Sequence, residues 1–98
     1  MPFIIETWDK PDHAQTRKKA RAEHLAYLDQ HANKLLACGA KLNDDGTDAG
    51  GGFYVVDVET RGAAKQFIND DPFSRVDLFQ QVRITRWRKA YVDGKCFL

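Results

Sequence analysis

Among the groups in this chain able to move a proton or donate to a metal near neutral pH are three histidines and two cysteines. His24 stands in RAEHLAYLDQH (21–31), where a helix would otherwise bury leucine. An imidazole gains or loses a proton near physiological pH and so suits general acid or base work. At about 100° per residue, Arg17, Ala20, Arg21, His24, Leu28 and His31 share one broad helical face. That face is cationic toward its N-terminal half and apolar toward its C-terminal half. Such a stripe describes a helix that dives under a sheet at one end and lines a cleft at the other. A histidine flanked by Arg17 and Arg21 suits binding of, or chemistry on, an anionic small molecule. The alternative is a core histidine bonded to a nearby carbonyl or carboxylate. In the catalytic reading its partner is a carboxylate that fixes the ring tautomer, and Asp70 and Asp71 in NDDPF are the candidates. His31 lies two turns beyond His24, too far to share a metal ion with it, and reads as packing. His13 reads as a solvated residue at the helix start.

Other chemistries lack their motifs. There is no HExxH, GxSxG, phosphate loop or CxxC. The triple glycine 50–52 lacks dinucleotide-binding spacing and precedes a strand, so a tight turn is expected. Cys38 and Cys96 make neither a disulfide framework nor a zinc set, and read as reduced thiols. No cofactor and no metal is expected. RITRWRK (83–89) is a basic patch, and GGFYVVDVE (51–59) has a weak likeness to an RNA-recognition strand. The leading basic residue of that strand is missing, and a net charge of +1 (15 basic, 14 acidic residues) argues against nucleic acid. The patch reads as an exposed sheet edge. The N-terminus has no basic leader, and nothing approaches the ~20 apolar residues of a membrane span. A cytoplasmic protein without membrane contact is expected.

The elements that must position these residues follow from length and pattern. With 98 residues, 43% hydrophobic and 30% charged, one ordinary domain over 1–98 is expected. PFIIETW (2–8) is a first strand. A long helix runs from about His13 to Asn33, with Asp12 as its cap and Gln15 completing a capping box. KLLACGAKL (34–42) reads as a strand bent at Gly39. NDDGTDAGGG (43–52) is a loop and FYVVDVE (53–59) a third strand. Thr60 caps a second helix with an apolar stripe of Ala63, Ala64, Phe67 and Ile68, which stops before Pro72. PFSRVDLF (72–79) adds a further turn, and QVRITRWRKAYV (81–92) is the last strand. Strand, helix, strand, strand, helix, strand is the ferredoxin-like βαββαβ pattern of the α+β class, an antiparallel sheet with both helices on one face. Phe3 and Ile5 oppose Ile4 and Trp8, and Phe53 and Val55 oppose Tyr54, Val56 and Val58. Both faces are thus largely apolar, and the face without helices is expected to meet another subunit.

RKKARAEHLAYL, KLLACGA, FYVVDVE, AAKQFINDDPF and RITRWRKAY, taken together and in this order, resemble the YCII-related (YciI-like) family over nearly the whole chain. The resemblance implies a ferredoxin-like subunit that pairs through its open sheet face into a homodimeric α+β barrel. It implies an active-site cleft around His24 and Asp71, with Arg17 and Arg21 matching the family's helix arginines and Gly39 the glycine that ends its second strand. One relative, a dehydrochlorinase that acts on a chlorinated hydroxyhydroquinone, and the similar fold of muconolactone isomerases imply lyase- or isomerase-type proton transfer on a small anionic or cyclic metabolite. A non-catalytic module that binds a small ligand in the same cleft is the alternative. Ala40 stands where the family usually has proline, and the 43–50 loop is short. Both features shape the mouth of the cleft.

Overall fold

The computed structural model describes residues 2–98. Strands β1 (Phe3–Asp9), β2 (Leu35–Leu42), β3 (Asp48–Val56) and β4 (Phe79–Arg86) form one antiparallel sheet in the order β2-β3-β1-β4. Helices α1 (Ala14–Gln30) and α2 (Arg61–Asp70) make the two crossovers, and the one-turn α3 (Pro72–Arg75) follows α2. This is the expected ferredoxin-like α+β arrangement. The β-branched and aromatic strands β1 and β3 take the centre of the sheet, where both neighbours are hydrogen-bonded.

Strand alternation sends Phe3, Ile5, Tyr54 and Val56 inward against Ala64, Phe67 and Ile68 of α2. Thr60 caps α2 as expected, its hydroxyl accepting from the Ala63 N–H at 3.1 Å. Ala63 itself is exposed, so the apolar stripe is narrower than the sequence suggests. Tyr27 of α1 donates from its hydroxyl to the Phe67 carbonyl at 2.6 Å and ties the two helices together. A second small core of Ala20, Phe73 and Leu78 sits under the first half of α1. Within α1 only Ala20 and His24 are buried. The helix therefore touches the sheet lightly along that half, and space remains between them.

Several local expectations are corrected. Asp12 does not cap α1: it adopts a left-handed φ of 61°, and the cap position falls to His13, whose side chain makes no cap bond. The chain turns sharply after Pro11, and His13 Nδ1 donates instead to the Pro11 carbonyl at 2.7 Å. The triple glycine is not a turn but part of β3, with Gly51 opposite Trp8 and Gly52 opposite Thr7. A Cβ at Gly51 would stand 2.1 Å from the Thr7 carbonyl oxygen, and one at Gly52 2.9 Å from that of Gly39. Close approach of backbones, not turning, is what demands glycine here. The last strand ends at Arg86, and Tyr91–Val92 (β5) and Lys95–Cys96 (β6) form a separate hairpin. Its two-residue loop, Asp93-Gly94, has φ of 52° and 74°, which fits a tight hairpin turn. Finally, the face without helices carries Glu6, Lys41 and Arg83 among Ile4, Trp8, Phe53 and Val55, so it is less apolar than expected. Lys41 Nζ lies 3.8 Å from the Trp8 ring centroid and 3.0 Å from Glu6 Oε2, although off the hydrogen-bond direction. Strand β2 pairs in unbroken register from Ala37 to Ala40, so its irregularities fall between Leu35 and Ala37 and between Ala40 and Leu42 rather than at Gly39.

Candidate active site

His24 and Asp71 come together from elements 47 positions apart. Asp71 owes its place to Pro72. The residue before proline is held extended, and Asp71 has φ −62° and ψ 133°. Pro72 then opens α3, where its missing N–H costs nothing. The Asp71 carboxylate caps that turn, Oδ1 accepting from the Phe73 N–H at 2.9 Å. The same carboxylate stands 2.9 Å, through either oxygen, from His24 Nδ1, and Oδ2 accepts from the Tyr54 hydroxyl at 3.0 Å. Asp71 is fully buried. A buried carboxylate is tolerated when charge-assisted hydrogen bonds surround it, and here three donors do so.

A carboxylate only accepts, so the nitrogen between it and the ring carries the proton, and Nε2 is left as the nitrogen able to act. Phe73 lies flat against the His24 ring with centroids 3.9 Å apart, and Tyr54 meets it edge-on at 6.1 Å. The segment DPF thus supplies both the hydrogen-bond partner of the imidazole and the surface that fixes its plane. Burial, and after it the charge and hydrogen bond of Asp71, push the Tyr54 hydroxyl far above its ordinary range. It stays protonated and serves as a donor.

Arg17, Arg21, His24, Leu28, Cys38, Ala40, Tyr54 and Phe73 help to line a cavity of about 270 Å³ between α1 and the sheet. The structure therefore brings all four expected site residues, His24, Asp71, Arg17 and Arg21, to one place, with Asp71 behind the wall. Arg17 is less free than the sequence suggests. Its Nε and Nη2 donate to Asp9 at 2.6 and 3.1 Å, and its guanidinium lies 4.7 Å from the Phe73 centroid. Burial opposes its charge, but the hydrogen bonds and charge of Asp9 outweigh that and hold its pKa above the ordinary value. Arg21, one turn along, is exposed. Cys38 counts as exposed by area, yet its thiol faces the cavity opposite Tyr54. Burial there, and secondarily the charge of Asp71, push its pKa up to about 11. His31 packs as expected: its Nδ1 donates to the Tyr27 carbonyl at 2.9 Å and its ring lies against Tyr27. Among the described residues no group of three His, Cys, Asp or Glu side chains is placed to hold a metal ion.

Tyr54, Asp9 and Cys38 are site residues that motif reading misses, while Phe73 lies in the DPF piece of the resemblance, where it carries no assigned role. For Tyr54 and Cys38 strand parity was the available signal. For Asp9 there was none, because its approach to Arg17 depends on the turn at 10–13.

A family model for the YCII-related domain matches residues 1–88. Protein YciI of Escherichia coli O6:H1 is 26% identical over 98 residues, covering 93% of this chain and 100% of that one. Among solved structures, 5-chloro-2-hydroxyhydroquinone dehydrochlorinase from Burkholderia phenoliruptrix AC1100, in complex with 2,5-dihydroxybenzoquinone, is 32% identical with a TM-score of 0.82, over 90% of this chain and 94% of that one. A structure described as an antibiotic biosynthesis monooxygenase from Bacteroides thetaiotaomicron shares the fold alone, at 12% identity and a TM-score of 0.57 over 97% of this chain and 93% of that one. No helix among the described residues is long and apolar enough to cross a membrane.

Proposed function

The chain belongs to the YCII-related domain family, and on that premise we propose that residues 1–98 form one YCII-like domain whose cleft performs proton transfer on a small anionic or cyclic metabolite. The observation that carries this reading is the His24–Asp71 pair at the cavity, with Nδ1 committed to the carboxylate and Nε2 left for a ligand. Nε2 takes a proton from a ring carbon or hydroxyl. The electron pair released moves into the ring and expels a leaving group or shifts a double bond, and the imidazolium returns the proton to solvent or product. Asp71 holds the tautomer and stabilises the imidazolium. Arg21, together with the remaining Nη1 of Arg17, holds an anionic oxygen of the substrate. Such chemistry needs no cofactor and no metal. General acid–base catalysis of this kind contributes about 10²–10⁴-fold. The likeness to a dehydrochlorinase that holds a dihydroxybenzoquinone supports a planar oxygenated ring as the substrate class.

The reading includes a homodimer joined through the open sheet face, where Ile4, Trp8, Phe53 and Val55 would otherwise remain a partly apolar surface. It includes a cytoplasmic setting, in keeping with two free cysteines. Turnover in a panel of chlorinated and hydroxylated phenols, quinones and lactones tests the reading, with His24→Asn as the control. A loss of about 10²-fold or more in kcat is expected. Equal turnover by His24→Asn would remove the catalytic role. Ring binding with no turnover by either protein would make this a small-ligand-binding module instead.

A further inference from the structure

Beyond the cavity at His24 lies a larger one of about 570 Å³, walled by the turn after β1 and the start of β3. Arg17, Arg21 and Ala40 line both cavities and so form a neck between an inner and an outer compartment. The inner one is small beside the roughly 300–1,000 Å³ typical of ligand pockets, and suits a single ring. Arg17 is pinned at the neck between Asp9, a wall of the outer compartment, and Phe73, a wall of the inner one. Lys10, in the outer wall, is paired with Asp77 at 2.5 Å. Among the described residues Arg21 has no hydrogen-bond or ion-pair partner. Asp12 and Asp48 stand in the outer wall and disfavour an anion deep inside it, and the remaining lysine of that wall, Lys18, stands on α1 next to Arg17 and three residues before Arg21, which adds positive charge on the side of the neck. The place for a negative group is therefore the neck.

Resting on the functional reading above, we infer that the ligand is an oxygenated ring bearing a carboxylate-ended side chain. The ring lies in the inner compartment and the carboxylate is held by Arg21 at the neck. Ala40 sets how wide the neck is. Its small side chain lets a side chain of two or three atoms pass between β2 and α1, and the outer compartment gives that chain room. Arg21 and Ala40 are thus specificity residues, distinct from the proton-transferring pair.

The test uses three probes: hydroquinone, 3-(2,5-dihydroxyphenyl)propanoate and the corresponding propanamide. Their binding is measured by calorimetry and by the nitrogen resonances of the His24 ring. The acid is expected to bind about fivefold tighter than the amide, the upper range for an ion pair at an exposed arginine. Arg21→Gln should cut that difference to less than about twofold, with Arg17 Nη1 the cation left at the neck. Ala40→Leu should weaken the acid more than it weakens hydroquinone, by a ratio of about three or greater, as a narrowed neck blocks the side chain. If hydroquinone shifts the His24 signals but the acid binds no tighter than the amide, the inference is overturned and the functional reading stands. An acid that binds without moving the His24 signals also overturns it. If no probe moves those signals, both readings fall together.

Discussion

Replacing Asp71 by Asn changes one atom at the point on which the site turns. The Asp71 carboxylate accepts from His24 Nδ1, the Tyr54 hydroxyl and the Phe73 N–H, and it is fully buried. An asparagine can keep its oxygen for Phe73 and direct its amide N–H at His24. The imidazole must then accept at Nδ1 and carry its proton on Nε2, the tautomer that cannot act as a base toward the cavity. The Tyr54 hydroxyl loses its acceptor, at a cost of about 1–3 kcal/mol for a buried donor, and the two other bonds lose charge assistance worth about 1 kcal/mol each. A total of about 3–5 kcal/mol is a large share of the about 5–15 kcal/mol that holds a domain together. The denaturant midpoint should fall with an unchanged slope, and the melting temperature should drop by about 15–25 °C. Catalysis should fall by about 10²–10⁴, the contribution of a general base now held in the wrong tautomer. Long-range ¹⁵N–¹H correlation spectra of the imidazole, recorded across a pH series, report the tautomer of its neutral form directly. Wild type should show the proton on Nδ1 and Asp71→Asn the proton on Nε2. A neutral His24 protonated on Nε2 in the wild type, or an Asn variant as stable as wild type, would refute this account of the dyad.

Other consequences are simpler to check. Gly51→Ala puts a methyl group against the Thr7 carbonyl and should cost about 3 kcal/mol or abolish folding, whereas Gly39→Ala, with nothing within 4 Å of its Cβ, should change stability by less than about 0.5 kcal/mol in denaturant titrations. Thr60→Ala removes the α2 cap and should lower stability by about 1 kcal/mol, read the same way, while leaving the His24 tautomer unchanged. The Cys38 thiol, raised from 9.0 to about 11 by burial and then by Asp71, is neutral in the fold over a range where the unfolded chain ionises. Its contribution is therefore complete below pH 9 and is lost as pH rises through about 11. Iodoacetamide labelling of Cys38 should accelerate between those limits, and a ring bound in the cleft should protect Cys38 but not Cys96. Trp8→Glu on the open sheet face should shift the sedimentation of the proposed dimer toward monomer. An unchanged dimer would place the interface elsewhere.

The fold was legible because periodicity and punctuation agree along most of the chain. Alternation in FIIETW and FYVV sorts the two sheet faces, and Thr60 and Pro72 bracket α2. The glycines 50–52 misled because glycine marks both turns and close backbone contacts. Only the neighbouring strands, with the Thr7 and Gly39 carbonyls pressed against β3, decide between them. Asp93-Gly94 is a hairpin signal, but it joins two strands of only two residues each once the chain leaves β4 at Arg86, and such short strands carry no alternation of their own. In the site, helical spacing brought Arg17, Arg21 and His24 onto one face, and the family likeness selected Asp71 over Asp70. Spacing alone could not separate these two aspartates. What separates them physically is that Asp71, next to Pro72, is the cap and turns its carboxylate inward, while Asp70 faces Gln66 and Arg75 at the surface. Charge type was also an incomplete guide. Arg17 and Arg21 look alike in sequence, but the turn at 10–13 delivers Asp9 to Arg17 alone.

In the proposed site His24 Nε2 meets a planar ligand in the inner cavity. A crystal soaked with 2,5-dihydroxybenzoquinone measures this most directly. A ligand oxygen or ring C–H carbon is expected within about 3.2 Å of Nε2, or one bridging water away, with Nδ1 still on Asp71. A ligand bound at full occupancy elsewhere, with Nε2 packed against protein, would contradict it.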